Sequence, residues 1–369
     1  MRQRPSLIQC RIRPNRVDMN KPLTKILICY HARPPIGRYL ESASNQRGIE
    51  VVHYHPDTNT WFDRHVIHFV NKQLHNLRLL KKGKWVLQKH PLSHMQHLQA
   101  ELGKAYRQHR PDLFLAIRGT VFGHEVMQTM DCPKIGWWIE SENRFPLAIE
   151  DAPYFDKYFC MSKTGVEQLA SSGYSKAEYL GHAVDTDSFS KLPQANKTID
   201  LCFVGNHCAK RQAMIEAALN VTKSIVIYGA NWEKNDCKNP EILAALKGKY
   251  ISGHTLNELY NRSKVVLNVT SWDGQSELRS GMNMRLFEVP ATGSLLMTDE
   301  IREISDYFDE QRHLVVYRDT SDFQEKLKLM LEDDDRREQI ANAGFDHVTT
   351  HYTYAESVDK IINAYNALK

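Results

Sequence analysis

Short apolar, β-rich runs alternate with helix-length polar segments along most of the chain. A first series comprises KILICY (25–30), EVVHYH (50–55), LFLAI (113–117), KIGWWI (134–139), KYFCM (157–161) and EYLG (178–181). A second comprises IDLCFVG (199–205), SIVIYG (224–229), KVVLNVT (264–270), SLLMT (294–298) and HLVVY (313–317). Strands written as continuous apolar runs are covered on both faces, as in parallel sheets flanked by helices. Two such series predict two doubly wound α/β domains. The join falls at KLPQANKT (191–198), a polar stretch with Pro and Asn ahead of a fresh strand. Segments 321–332, 334–349 and 354–368 have helical spacing. Ser321 and Thr353 stand where N-caps belong, and Asp333–Asp335 place negative charge at the start of the second helix.

At 369 residues, two domains can each bury a core. A hydrophobic fraction of 42% and a net charge of +4 exclude disorder as the main state. The scattered Gly and Pro exclude a collagen-like repeat. No apolar run is long enough for a membrane span, and the basic start MRQRPSLIQCRIRPNR lacks the apolar core of a secretory signal. Cys10, Cys29, Cys132, Cys160, Cys202, Cys208 and Cys237 form no CxxC pair, so reduced thiols in a cytoplasmic protein are expected.

The small net charge conceals an asymmetry. Residues 1–25 carry +6 and residues 64–110 carry +9 with seven His, leaving −11 for the remainder. A basic first half suits an anionic partner: lipid head groups, a phosphorylated acceptor or, last, nucleic acid, because no aromatic–Arg nucleic-acid module is present. A solvated helix face with a basic tail explains the charge equally well. No long apolar face accompanies it, so the expectation is a peripheral contact with an anionic membrane, at the inner face.

Two stretches carry candidate chemistry. In SGMNMRLFEVPATGSLLMTD (280–299), Arg285, Glu288 and Thr292 share one helical face, Pro290 bends or shortens the helix, and Gly293 ends it. A helix start facing a crevice suits phosphate, and a carboxylate on its face suits the hydroxyls of a ribose. An ordinary Arg285–Glu288 surface pair is the competing expectation. In IDLCFVGNHCAKRQAMIEAA (199–218), a strand, a turn at Gly205 and a helix place Lys210 and Arg211 in the first helical turn. The dipole there disfavours cations unless an anion lies in front of them. A single glycine makes this neither a P-loop nor a dinucleotide fingerprint.

FVGNHCAKR, IYGANW, LNVTSWDG, GMNMRLFEVPATGSLLMTD, LVVYRD and RREQIANAGFDHVTTHYTYAESV occur in the order seen in group-1-type glycosyltransferases. The set most resembles the spore-maturation-protein-type branch. GWWIESENRF (136–145) and YLGHAVDTDSF (179–189) extend the resemblance, which covers about 110–369 well. It implies a GT-B fold: two Rossmann-like domains facing across a crevice, with a C-terminal helix crossing back to the first. The expected division is a basic tail (1–22), an acceptor domain (23–190), a donor domain (191–350) and the C-terminal helix (351–369).

The activity implied is transfer of a hexosyl group from a nucleotide-diphosphate sugar, UDP being the implied nucleotide, to a cell-envelope, glycolipid or polysaccharide acceptor, with retention as in related families. By motif position Glu288 takes the donor ribose, and Arg285 with Lys210 the diphosphate. Tyr228, Gly229 and the backbone of Ile251–Gly253 surround the base. Gly205, Asn206, Arg211, Gly253 and Asn283 complete the donor set. The larger family has a second Glu seven residues before the ribose Glu, and here that position is Gly281.

Charge developing on a departing diphosphate must be stabilised, and Arg, Lys and a helix start can do this without a divalent cation, so no metal or other cofactor is expected. Asp185 and Asp187 mimic a DxD metal motif but fall in the hinge-like DTDSF, as turn residues. Glu140 and Glu142 follow a strand at its carboxyl end, and His31 follows the first strand in the same sense, so these three are the candidate catalytic or acceptor-positioning groups. His182 precedes the hinge and faces the same crevice. His65, His68, His75, His90, His94, His97 and His109 have no metal-ligand spacing. A sugar-nucleotide epimerase on the same fold, or a non-catalytic sugar-binding protein, remain alternatives.

Overall fold

The computed structural model describes residues 22–30, 35–56, 60–81, 85–118, 123–140, 144–233, 237–270 and 281–369. The first domain holds β1 (Lys25–Cys29), β2 (Glu50–Tyr54), β3 (Leu113–Ile117), β4 (Lys134–Trp138), β5 (Lys157–Cys160) and β6 (Ala177–Tyr179). Its helices are α1 (Ile36–Asn45), α2 (His68–Asn76), α3 (His94–His109), α4 (Phe145–Asp151) and α5 (Lys163–Ser171). All six strands are parallel, in the order β2-β1-β3-β4-β5-β6. The second domain holds β7 (Ile199–Val204), β8 (Ile225–Tyr228), β9 (Leu246–Gly248), β10 (Ser263–Asn268), β11 (Leu295–Asp299) and β12 (Val315–Tyr317). Helices α6 (Ala209–Leu219), α7 (Pro240–Ala245), α8 (Gly253–Asn261), α9 (Arg285–Ala291), α10 (Ile304–Tyr307), α11 (Thr320–Glu332) and α12 (Asp334–His351) flank it. Its order is β12-β11-β10-β7-β8-β9, again parallel. Strand order reverses between β1 and β3 in one sheet and between β7 and β10 in the other. Crevices for ligands open at the carboxyl ends of strands at such points.

The apolar runs of the sheet centres become strands covered on both faces, β3 and β11 being buried at every residue, whereas the edge strands β2 and β6 are only partly covered. Two corrections concern edges. The short β9 was not read from the sequence, and α11 is capped by Asp319, whose carboxylate accepts the Asp322 N–H at 2.9 Å, while Ser321 lies inside the helix. Among the described residues Cys132, Cys160, Cys202, Cys208 and Cys237 are free thiols, and no helix there is long and apolar enough to cross a membrane.

The chain crosses between domains twice, and the crossings are bonded to each other. Val184 N–H donates to Tyr352 O at 2.8 Å, and Tyr354 N–H donates to Val184 O at 3.1 Å. After the second crossing α13 (Tyr354–Ala367) begins at Thr353, whose N–H donates to Glu356 Oε2, and packs on α1 of the first domain. One apolar cluster runs from Ile28 and Trp137 of the first sheet through Val184, Phe189 and Tyr354 to Val266 and Leu286 of the second domain. Arg47, just past α1, pins α13: Nε and Nη2 each lie 2.6 Å from the Asp359 carboxylate, and Nη2 also donates to Ala355 O.

Arg47→Ala should destabilise the protein by about 1–2 kcal/mol after solvent screening of this partly exposed pair, with Lys rescuing less than half, because a planar fork is lost. Urea unfolding measures the loss. Limited proteolysis should show the cut moving to the α12–α13 junction; an unchanged pattern with unchanged stability would refute the tether.

Candidate active site

The two sheets turn their carboxyl ends toward a cleft of about 600 Å³. From the first domain come Ile139, Glu140 and His182; from the second come Val204, Gly205, Asn206, Arg211, Tyr228, Gly229, Tyr250, Ile251, Tyr260, Asn283, Arg285 and Glu288. The β7 and β8 turns that form its floor touch closely. A Cβ on Gly229 would lie 1.9 Å from the Gly205 carbonyl oxygen, so only glycine permits the approach. That same carbonyl accepts the Trp232 indole N–H at 3.0 Å, and Asn206 Oδ1 accepts the Ala230 N–H.

Two guanidinium groups stand together here. Arg211 donates from Nε to Val269 O at 3.1 Å and from Nη1 to Asn206 O at 2.8 Å. Arg285 donates to Asn268 Oδ1, which also accepts from Asn283 Nδ2 at 3.0 Å. Asn268 ends β10, is fully buried, and is itself oriented by donating to Thr298 Oγ1 at 2.9 Å. Neither arginine meets a carboxylate among the described residues. Burial, and then the charge of Arg285, lower the Arg211 pKa to about 10. Anchoring cations on carbonyls and amides leaves their charge available to an anionic ligand.

Lys210 does otherwise. Its Nζ lies 2.6 Å from Asp299 Oδ2 and 3.1 Å from Thr270 Oγ1, and it does not line the cleft. The cation beside Arg285 is Arg211, while Lys210, expected to share the diphosphate with Arg285, is paired with Asp299 at the end of β11. Gly253 opens α8 at φ 59° and also lies off the lining, whereas its neighbours Ile251 and Leu256 are on it.

Glu288 is not part of a surface pair. It is only 7% exposed, and burial raises its pKa to about 7, with Arg285 opposing the rise. Tyr39 of α1, Tyr260 of α8 and Tyr354 of α13 surround it closely enough to feel its charge. Across the cleft, Glu140 is held by the Arg118 Nε and, at 3.9 Å, by Arg144 Nη1. Arg118 at the end of β3 was missed by the sequence reading. His182 is buried, its Nδ1 has no hydrogen-bond partner among the described residues, and burial lowers its pKa to about 4. His31 and Glu142 lie outside the described residues.

Asp185 and Asp187 are used in the linker. Asp185 Oδ2 accepts from Ser188 N at 3.1 Å and Ser188 Oγ at 2.6 Å, and Asp187 accepts from Ser42 Oγ at 3.2 Å. Gly281 has φ 96°; its N–H donates to Glu303 Oε2 at 3.0 Å, and a Cβ there would lie 3.3 Å from Met161 Cε of the first domain. Glu303 Oε1 accepts the Lys163 N–H at 3.2 Å, so one carboxylate joins the two domains.

The buried Glu288 sets a pH dependence. Between its ordinary 4.5 and its folded value of about 7, the native state binds the extra proton. The stability it contributes is complete below 4.5 and is lost as pH rises through 7. Glu288→Gln removes that loss, so the variant should gain on the wild type between about pH 5 and about pH 8, by on the order of 3 kcal/mol. A thermal-melting difference that does not change with pH would contradict the burial described.

No curated protein matches the sequence. The family model described as glycosyl transferase-like matches residues 210–363. HepE from Anabaena, solved with UDP and glucose, is 9% identical, with 93% of this chain and 100% of that one covered at a TM-score of 0.63. Sucrose-phosphate synthase from Thermosynechococcus elongatus is 9% identical, with 94% and 100% covered and a TM-score of 0.65. MnaA from S. aureus, solved with UDP, is 14% identical, with 94% and 98% covered and a TM-score of 0.54. At such identities the shared property is the fold. The chain thus has the GT-B glycosyltransferase fold, and its residues 210–363 are glycosyl transferase-like.

Proposed function

We propose that the protein transfers a hexosyl group from a nucleotide-diphosphate sugar to a glycan, glycolipid or other cell-envelope acceptor, as a member of the spore-maturation-protein-type branch. The observation that carries this reading is the Arg211–Arg285 pair, left without a carboxylate, beside the buried Glu288 in the crevice. Two guanidinium forks fit the oxygens of a diphosphate, and a carboxylate fits a pair of ribose hydroxyls. Tyr228, Tyr250 and Ile251 offer the wall for the base. Uridine is the base proposed, since HepE and MnaA are both seen with UDP.

In this reading the forming diphosphate is stabilised by fixed positive charge that needs no reorganisation as the glycosidic bond breaks. Glu140, aimed across the cleft by Arg118 and Arg144, orients sugar or acceptor hydroxyls, and the neutral His182 adds a ring nitrogen with no protein partner. Retention of the anomeric configuration is proposed on the resemblance alone. Metal independence is supported by the commitment of Asp185 and Asp187 to Ser188 and Ser42.

Incubation with a panel of labelled nucleotide sugars should release nucleoside diphosphate with at least one donor and transfer its sugar. An epimerised free donor, or binding without turnover, would overturn the transferase reading. By calorimetry Glu288→Gln should weaken nucleotide binding by about 1–3 kcal/mol, and Arg285→Ala should erase the preference for diphosphate over monophosphate.

Full activity should survive EDTA. Loss of turnover with chelator and its return with Mn²⁺ or Mg²⁺ would show that a bound cation, not the arginine pair, stabilises the leaving group.

A further inference from the structure

Large apolar side chains left in water are concentrated in one place. Of the eleven exposed among the described residues, seven lie between 61 and 92: Trp61, Phe69, Leu77, Leu79, Trp85, Leu87 and Leu92. Such clustering marks an interaction surface, whereas scattered single residues would not. It also corrects the sequence expectation that no apolar face accompanies the basic charge.

The segment is built, not loose. A π-helical turn, Asp63–Ile67, runs into α2, and Asp63, Ile67 and Asn71 face inward. Buried Asn71 clasps the returning chain, accepting the Val86 N–H at 2.8 Å and donating to Val86 O at 3.1 Å. The outer face carries Trp61, Phe69 and Lys72, with the Trp61 ring 5.2 Å from His65 and Trp85 edge-on to His68 at 5.0 Å. Arg64, Lys72, Arg78, Lys81 and Lys89 are exposed, and none pairs with a carboxylate among the described residues. Asp63, the acid of this segment, is buried against the His94 N–H.

We propose that residues 60–81 and 85–92 dock the protein on an anionic lipid surface, the aromatic and leucine side chains entering the interface and the cations meeting head groups. Mixed Trp, Phe, Leu and Lys without exposed acids is the composition of interfacial segments. Protein interfaces are depleted in Lys, and two copies of this face would repel each other, which sets both alternative occupants below lipid. The segment follows the carboxyl end of β2, on the crevice side of the first domain, so docking would bring a membrane-borne acceptor to the cleft. For that address, though not for the docking itself, the inference rests on the transferase reading above.

The test is co-sedimentation of the full chain with vesicles of phosphatidylcholine alone and of phosphatidylcholine with about a third phosphatidylserine, at low and high salt. Binding is expected to the anionic vesicles only and to weaken with salt. Trp61→Ser with Phe69→Ser should lower partitioning at least about tenfold, and each of Lys72→Gln and Lys81→Gln about fivefold. Equal binding to neutral vesicles, no binding, or binding indifferent to the Trp61/Phe69 pair would overturn the proposal. Dimerisation abolished by that pair would overturn it in favour of a second copy. UDP calorimetry on the same preparations keeps the two readings apart: lipid binding without nucleotide binding removes the transferase and leaves the dock, and the converse removes only the dock.

Discussion

The crevice is organised by two positive charges placed side by side without neutralisation. Folding would ordinarily answer a half-buried cation with a carboxylate, as it does for Lys210 with Asp299. For Arg211 and Arg285 it answers with carbonyl oxygens instead, two from the backbone and one from the Asn268 amide. These hold the forks in position without a paired carboxylate in a space walled by Tyr228, Tyr260 and Ile251. An arrangement that costs folding energy and is nonetheless rigidly supported is the expected signature of a site completed by its ligand.

The negative member of the site depends on the whole molecule. Glu288 lies on a seven-residue helix of the second domain, yet part of its enclosure comes from Tyr39 on α1 and Tyr354 on α13. Tyr354 reaches that position because the chain returns to the first domain after α12, and Arg47 fixes the return. Burial of one carboxyl group is thus linked to the interdomain crossing through a continuous apolar cluster. The same packing that raises its proton affinity shapes the cleft.

Architecture was legible because buried parallel strands announce themselves as unbroken apolar runs; the three-residue β9 was too short to do so. That Arg285, Glu288 and the turns at Gly205 and Gly229 would meet in one cleft was legible from local spacing and resemblance. What escaped were residues whose importance is created by tertiary contact. Asn268 reads as the tail of a strand, and Asp299 as the next strand's end, until the sheet brings both to one edge. Adjacent Lys210 and Arg211 look equivalent in sequence, and only their neighbours across the fold separate them. Likewise the pattern around 61–92 shows which residues are apolar but cannot show that nothing covers them.

Gly281 is where fold and chemistry meet most tightly. The family resemblance places an acidic side chain at this position, but the backbone is in the left-handed region and faces Met161 and Ser162 of the other domain. A carboxylate does arrive there, from outside the motif: Glu303, 2% exposed, takes the Gly281 N–H with one oxygen and the Lys163 N–H with the other. Lys163 Nζ meets Asp306 at 2.8 Å and Arg302 donates to Thr164 at 2.7 Å, so the start of α5 is fastened to the loop around α10 at several points. At Gly281 the main chain, with no side chain to offer, contributes a bond to the domain contact. Because Gly281 leads within two residues to Asn283 and within four to Arg285, separating the domains would free one oxygen of Glu303 and loosen the segment that carries Arg285. Domain contact and the approach to Arg285 are therefore tied to one carboxylate.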